Sequence, residues 1–222
     1  LEAELEDEGL HVTGRAGAVV TALALIASDP PDLAVLDVNL AEGDSLPVAE
    51  ALRARAIPFV TIDPEGSKDL DQAVHVEKRD GGGYTVHYAI ADVAAFVPAD
   101  SEVHAESLKR GQTIYLPDEP ARLHPEELSE GSASLLPDVD RPAVLWTFEL
   151  DEDGEVDAAH VERALVRSVA RLDYEGVHAD LENGTVHPSI ALLPEVGVLR
   201  QRSSLRRHAI NLRLPSVRVV GD

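Results

Sequence analysis

Apolar and polar positions alternate most cleanly between residues 74 and 90. Residues 74–78 and 84–90 each read as a strand, and Asp80-Gly81-Gly82-Gly83 between them is a hairpin turn signal. No helix or Lys-Ser/Thr pair follows the glycines, so they read as a turn and not as a phosphate cradle. Upstream, residues 17–27 form an Ala- and Leu-rich helical run that Asp29-Pro30-Pro31 stops, and residues 33–36 form a short apolar strand ending at Asp37. Asp44-Ser45 can cap a second helix running to about Arg55, with Pro47 in its first turns, and residues 57–62 make another strand. Helices alternating with buried strands predict a parallel α/β sheet for this part. Downstream, the pattern predicts helices over 101–110 and 191–207 and strands over 113–116 and 145–150. Asp151-Glu152-Asp153-Gly154 reads as a turn, without the remaining ligands of a calcium loop.

A hydrophobic content of 44% beside 27% charged residues, over 222 residues, is enough for one or two domains with real cores. No apolar run is long enough to span a membrane, and no basic-then-apolar leader is present, so a cytoplasmic protein without a membrane partner is expected. The absence of cysteine excludes disulfides, thiolate zinc sites and a cysteine nucleophile, and it fits a reducing compartment. Methionine is also absent, even at the first position, which suggests a processed or partial product. The net charge of −22 argues against unguided binding to nucleic acid. The C-terminal part, with Arg200, Arg202, Arg206, Arg207, Arg213 and Arg218, is the most basic; it fits a phosphate-facing surface or an ordinary solvated helix face.

The candidate chemistry lies in Thr61-Ile62-Asp63-Pro64-Glu65-Gly66-Ser67-Lys68-Asp69-Leu70-Asp71-Gln72-Ala73. Asp63 ends a β-branched strand, and Pro64-Glu65-Gly66-Ser67 reads as a turn that can bring Asp69 and Asp71 back beside it. Asp69 and Asp71 are two apart, so in extended chain they point to one side. Three converging carboxylates repel one another unless a hard divalent cation neutralises them. On the residues alone, a solvated acidic loop and a cation site both fit. Ser129, Ser132 and Ser134 lie near His124 and Glu130, but no nucleophile elbow accompanies them. Asp92, just after a strand, reads as structural, capping the chain's exit.

The Asp-x5-Asp-x-Asp run closely resembles the signature of the ribonuclease II (RNB) family of exoribonucleases. The resemblance continues through Tyr88-Ala89-Ile90-Ala91-Asp92-Val93, Gly111-Gln112-Thr113-Ile114-Tyr115-Leu116-Pro117, Leu128-Ser129-Glu130-Gly131, Ser134-Leu135-Leu136-Pro137, Asp140-Arg141-Pro142 and Ala170-Arg171-Leu172-Asp173-Tyr174. It implies an α+β fold, a mixed sheet with helices, and Mg²⁺- or Mn²⁺-dependent 3′→5′ hydrolysis of single-stranded RNA to nucleoside 5′-monophosphates. Asp63, Asp69 and Asp71 match three of the family's four acidic positions, and Gln72 stands at the fourth. Gln72 can offer a carbonyl oxygen to a metal or hold a ligated water, but it carries no charge, and next to Asp71 in extended chain it is expected to point the other way. The resemblance further implies two metal ions clamping the scissile phosphate, one activating water and one stabilising the leaving 3′ oxygen, with Asp71 the most sensitive ligand. Tyr115 and Tyr174 match positions where aromatic rings contact RNA.

The segment Pro31-Asp32-Leu33-Ala34-Val35-Leu36-Asp37-Val38-Asn39-Leu40 resembles the third strand of a response-regulator receiver domain, with Asp37 at the phosphoacceptor position. The acidic pair and the lysine that such a receiver needs are not recognisable. The expected organisation is therefore residues 1–58 as a partial α/β receiver-like segment, joined to residues 59–222 as the N-terminal part of an RNB catalytic domain. In the family that domain continues past the point equivalent to Asp222, so impaired activity is expected of the chain as it stands. The rival readings are a signalling module phosphorylated at Asp37 and a noncatalytic fragment that binds metal or RNA. No protein partner is inferable.

Overall fold

The structure, a computed structural model, describes residues 14–28, 39–40, 43–44, 54, 56–116 and 119–210. Asp37 and the strand expected over 33–36 lie outside the described residues, as does most of the helix expected up to Arg55. Helix α1 (Val19–Ser28) agrees with the Ala- and Leu-rich run, and a two-residue hairpin of β1 (Asn39–Leu40) and β2 (Gly43–Asp44) follows.

A closed five-stranded barrel dominates the rest. Its strands are β3 (Phe59–Asp63), β4 (Gln72–Lys78), β5 (Tyr84–Ala91), β8 (Asp140–Leu150) and β9 (Val156–Asp173). Between β5 and β8 lie α2 (Glu102–Arg110) and the small hairpin of β6 (Ile114–Tyr115) and β7 (Pro120–Ala121). A π-helical segment, Glu127–Ser132, leads into β8. After β9 come α3 (Tyr174–Asn183) and α4 (Leu193–Arg206). All barrel neighbours pair antiparallel except β3 with β9, which run parallel and close the barrel.

That closure corrects one expectation. The strand near residues 57–62 exists, but among the described residues its parallel partner is the distant β9 and its antiparallel partner is β4. Phe59 is fully buried at its start. Such burial is worth about 1.5–3 kcal/mol and favours the barrel over an open edge.

Small residues make the barrel's inner packing close. Ala73, Ala89, Ala143 and Ala164 meet Phe59, Leu135, Leu145 and Val166 in one buried cluster. On the opposite faces of the same strands, Val76, Tyr84 and Leu150 pack with Val196 of α4. The β4–β5 turn is as the glycine run foretold. A side chain at Gly83 (φ +81°) would put its Cβ 2.1 Å from the Leu150 carbonyl oxygen, so only glycine lets β8 approach there.

Ser101 caps α2, its hydroxyl accepting from the His104 amide at 3.1 Å, and Gly111 ends it. Helix α4 lies within two residues of the expected bounds. Among the described residues, no helix is long and apolar enough to cross a membrane.

Candidate active site

The segment joining β3 to β4 is pinned at alternate backbone groups. The Ser67 amide bonds the Pro64 carbonyl at 3.1 Å, closing the turn, and the Ser67 carbonyl accepts from Arg171 of β9 at 3.1 Å. Leu70 is fully buried. Its amide donates to the Ser134 hydroxyl at 3.1 Å, and its carbonyl accepts from the Leu135 amide at 2.8 Å. The Ser134 hydroxyl donates in turn to the Lys68 carbonyl at 2.5 Å, and the Asp71 carbonyl accepts from the Ala91 amide at 2.9 Å. With Leu70 anchored inward, its neighbours Asp69 and Asp71 are both left on the exposed side, as the two-residue period requires.

Asp63 ends β3 at this same end of the barrel, paired in register with Asp173 of β9. The three aspartates feel one another. Burial first, then the charges of Asp71 and Asp69, push the Asp63 carboxyl above the usual carboxylate range. Burial and the charge of Asp69 raise Asp71, against a lowering backbone hydrogen bond. None of the ion pairs among the described residues includes Asp63, Asp69 or Asp71.

Two tyrosines reach the edge of this cluster. The Tyr115 hydroxyl, on β6, donates to Asp69 Oδ2 at 3.3 Å, while the Tyr115 side chain is otherwise open to solvent (74% exposed). Burial and then all three aspartates, Asp69 foremost, raise its hydroxyl pKa, so it remains a neutral donor. The Tyr88 hydroxyl of β5 donates to Gln72 Oε1. Tyr174 opens α3, one residue past Asp173, and is also largely exposed. It stands at the acidic end of the barrel through the Asp63–Asp173 register.

Hard oxygen donors line this end: three carboxylates and the Gln72 amide. Their chemistry fits a hard divalent cation, and their mutual repulsion is what such an ion would relieve. The set is open, however. Among the described residues no three carboxylate or imidazole groups are gathered closely enough to hold an ion as they stand.

Several side chains prove structural. Asp92 is buried and ion-paired with Arg163 at 2.9 Å, a structural role as expected; it stands at the N-cap of the short turn Val93–Ala95, but its side chain makes no capping hydrogen bond. Ser129, Ser132 and Ser134 each donate to a backbone carbonyl, which leaves no serine nucleophile among them. Ser134 nonetheless matters, because it holds the acidic segment. From the sequence, Ser134 is weighed only as a nucleophile and Tyr88 is not singled out, although both stand inside the motif blocks.

The RNB domain family matches residues 52–222. Ribonuclease R of Vibrio cholerae is 40% identical over 128 residues, covering 58% of this chain and 16% of that protein. The chain thus spans less than a fifth of that relative's length. Mycoplasma genitalium RNase R, solved in complex with ribose methylated single-stranded RNA, superposes with a TM-score of 0.71 at 25% identity. That alignment covers 99% of this chain and 33% of that one. Yeast Ssd1, a pseudonuclease, shares the fold at 19% identity and a TM-score of 0.58, over 68% of this chain and 18% of its own. With the family match spanning most of its length and the acidic signature at the mouth of its barrel, this chain belongs to the RNB family.

Proposed function

We propose that this chain carries the acidic centre of a 3′→5′ hydrolytic exoribonuclease that acts on single-stranded RNA and releases nucleoside 5′-monophosphates. One observation carries the reading: Asp63, Asp69 and Asp71 share the open end of the barrel without an ion-pair partner among the described residues, and the hydroxyl of the exposed Tyr115 donates to Asp69. Asp63, Asp69 and Asp71, with Gln72 beside them, would hold Mg²⁺ or Mn²⁺. The bound cation would neutralise the phosphate and lower the pKa of a coordinated water.

The protein's own groups do the rest. The Ser134 and Arg171 contacts fix the backbone that presents Asp69 and Asp71, so their carboxylates are placed before substrate arrives. Tyr115 and Tyr174 offer exposed rings on which bases can stack, without regard to sequence, at about 1–3 kcal/mol each. Stacking suits a protein of net charge −22, which draws little from general attraction to phosphate. The signalling alternative is not favoured by the family match. The catalytic part is proposed to begin near Phe59, where the barrel begins, with residues 1–58 as a receiver-like segment; against that segment, the family match starts at residue 52 and the likeness to Mycoplasma genitalium RNase R covers 99% of the chain.

The test is a 5′-labelled single-stranded RNA incubated with the protein and Mn²⁺ or Mg²⁺. Slow, metal-dependent shortening of the labelled strand from its 3′ end is expected, in keeping with the impaired activity anticipated from the sequence. Asp71→Asn should lose roughly a thousandfold in rate, the size of several kcal/mol of lost charge stabilisation. An Asp71→Asn protein that degrades RNA at the wild-type rate would overturn the assignment.

A further inference from the structure

Gln72 opens β4 opposite Ile90, and Tyr88 stands two residues along β5 opposite Val74. Residues 72 and 74 share a face of the strand, so Tyr88 is the diagonal neighbour of Gln72, within reach of a long side chain. The contact is made: the Tyr88 hydroxyl donates to Gln72 Oε1. Burial, and then the nearby Asp71 charge, raise the Tyr88 hydroxyl pKa and keep it a donor. Gln72 itself is exposed, and without this bond its amide would be free to turn in solvent. An amide oxygen has two lone pairs, so one donor from Tyr88 leaves a second site open.

We propose that Tyr88 is a positioning residue of the divalent-cation site, holding the Gln72 amide beside Asp71 so that its oxygen serves the cation or a water bound to it. The inference rests on the acidic centre proposed above. It also accounts for how a neutral side chain serves where the RNB signature has a carboxylate. An aspartate there would bind through its charge, whereas a glutamine depends on orientation, and a fixed neighbour supplies it. Partners of this kind, one bond removed from a metal, typically change affinity 10–100-fold when lost.

Calorimetry with Mn²⁺ on the full chain tests this without reference to activity. Tyr88→Phe should weaken binding about tenfold, Gln72→Ala by a similar factor, and the double variant by no more than either alone. Gln72→Asp, one methylene shorter, does not reach the hydroxyl, so adding Tyr88→Phe to it should change nothing. The metal-free thermal midpoint of Tyr88→Phe should stay near wild type, separating positioning from folding. Wild-type Mn²⁺ affinity in Tyr88→Phe, or losses that simply add, would overturn the proposal. If Asp71→Asn abolishes binding while Tyr88→Phe leaves it intact, only the role of Tyr88 falls. If wild type and Asp71→Asn bind Mn²⁺ alike, the acidic centre falls and Tyr88 with it.

Discussion

The two ends of the barrel treat their carboxylates in opposite ways. At the hairpin end, Glu195 accepts from Tyr84 and Lys78, Arg79 bridges Glu149 at 2.8 Å and Asp157 at 3.0 Å, and Glu155 binds Arg206, Arg200 and Ser203. There the hydrogen bonds of Arg206 and Ser203 hold the Glu155 carboxyl below its ordinary range, and those of Tyr84 and Lys78 do the same for Glu195. At the other end Asp63 is raised by burial and by the charges of Asp71 and Asp69, and Asp71 by burial and the charge of Asp69. Acids that hold a fold together are given cations. Acids left to repel one another are kept for something that arrives later, and this contrast survives the strongly acidic composition that hid it in the sequence.

The largest effect should come from the residue that presents the unpaired acids. Ser134→Ala strands the Leu70 amide without an acceptor in a buried position and deprives the Lys68 carbonyl of its donor. An unsatisfied buried group costs about 1–3 kcal/mol, which urea unfolding would resolve. Mn²⁺ affinity should fall with it, because Asp69 and Asp71 flank the released backbone. Unchanged stability and affinity would mean that the aspartates are placed by the strands alone.

A smaller effect is expected at the hairpin end. Glu155→Gln should lower the thermal midpoint by loosening α4 from the β8–β9 turn, and it should leave Mn²⁺ binding untouched. Because the folded pKa of Glu155 is depressed, its contribution is present above the ordinary carboxylate range and is lost as pH falls through the folded value. The gap between wild type and Glu155→Gln should therefore close on acidification. A gap that persists would show the pair to be incidental.

Much of this arrangement was legible beforehand, for reasons that differ by element. The β4–β5 hairpin announced itself through alternation and the Asp80–Gly83 turn, and α2 through Ser101 and Gly111. The three aspartates were visible because the motif is local. Strand β9, eighteen residues long, was not seen. Its positions 160, 162, 164, 166 and 168 carry His, Glu, Ala, Val and Ser on one face, with arginines at 163 and 167 on the other, so neither face is uniformly apolar. Closure by β3 against β9 is a contact across more than a hundred residues, and no local pattern encodes it. Tyr88 escaped as a site residue because its role lies in a diagonal across two strands.

The smallest effect should be the most telling, because its sign reverses between conditions. The folded pKa of Asp71 is raised, by burial and then by the charge of Asp69. The folded state therefore binds protons more readily than the unfolded chain over the window above the ordinary carboxylate range. Any stability linked to that proton is complete below the unfolded pKa and is lost as pH rises through the folded one. At neutral pH the metal-free wild type has lost it and retains the repulsion, whereas Asp71→Asn carries no charge to repel. The metal-free variant should therefore be slightly more stable at neutral pH, by about 0.2–1 kcal/mol for charges this exposed. The difference should shrink toward zero as pH is lowered through the raised value. Saturating Mn²⁺ should invert the order, because binding to the folded state stabilises the wild type and not the variant. Thermal melts at several pH values, with and without Mn²⁺, read all three outcomes. A metal-free Asp71→Asn protein less stable than wild type at neutral pH would mean that these carboxylates are satisfied where they stand, and the contrast between the two ends of the barrel would collapse.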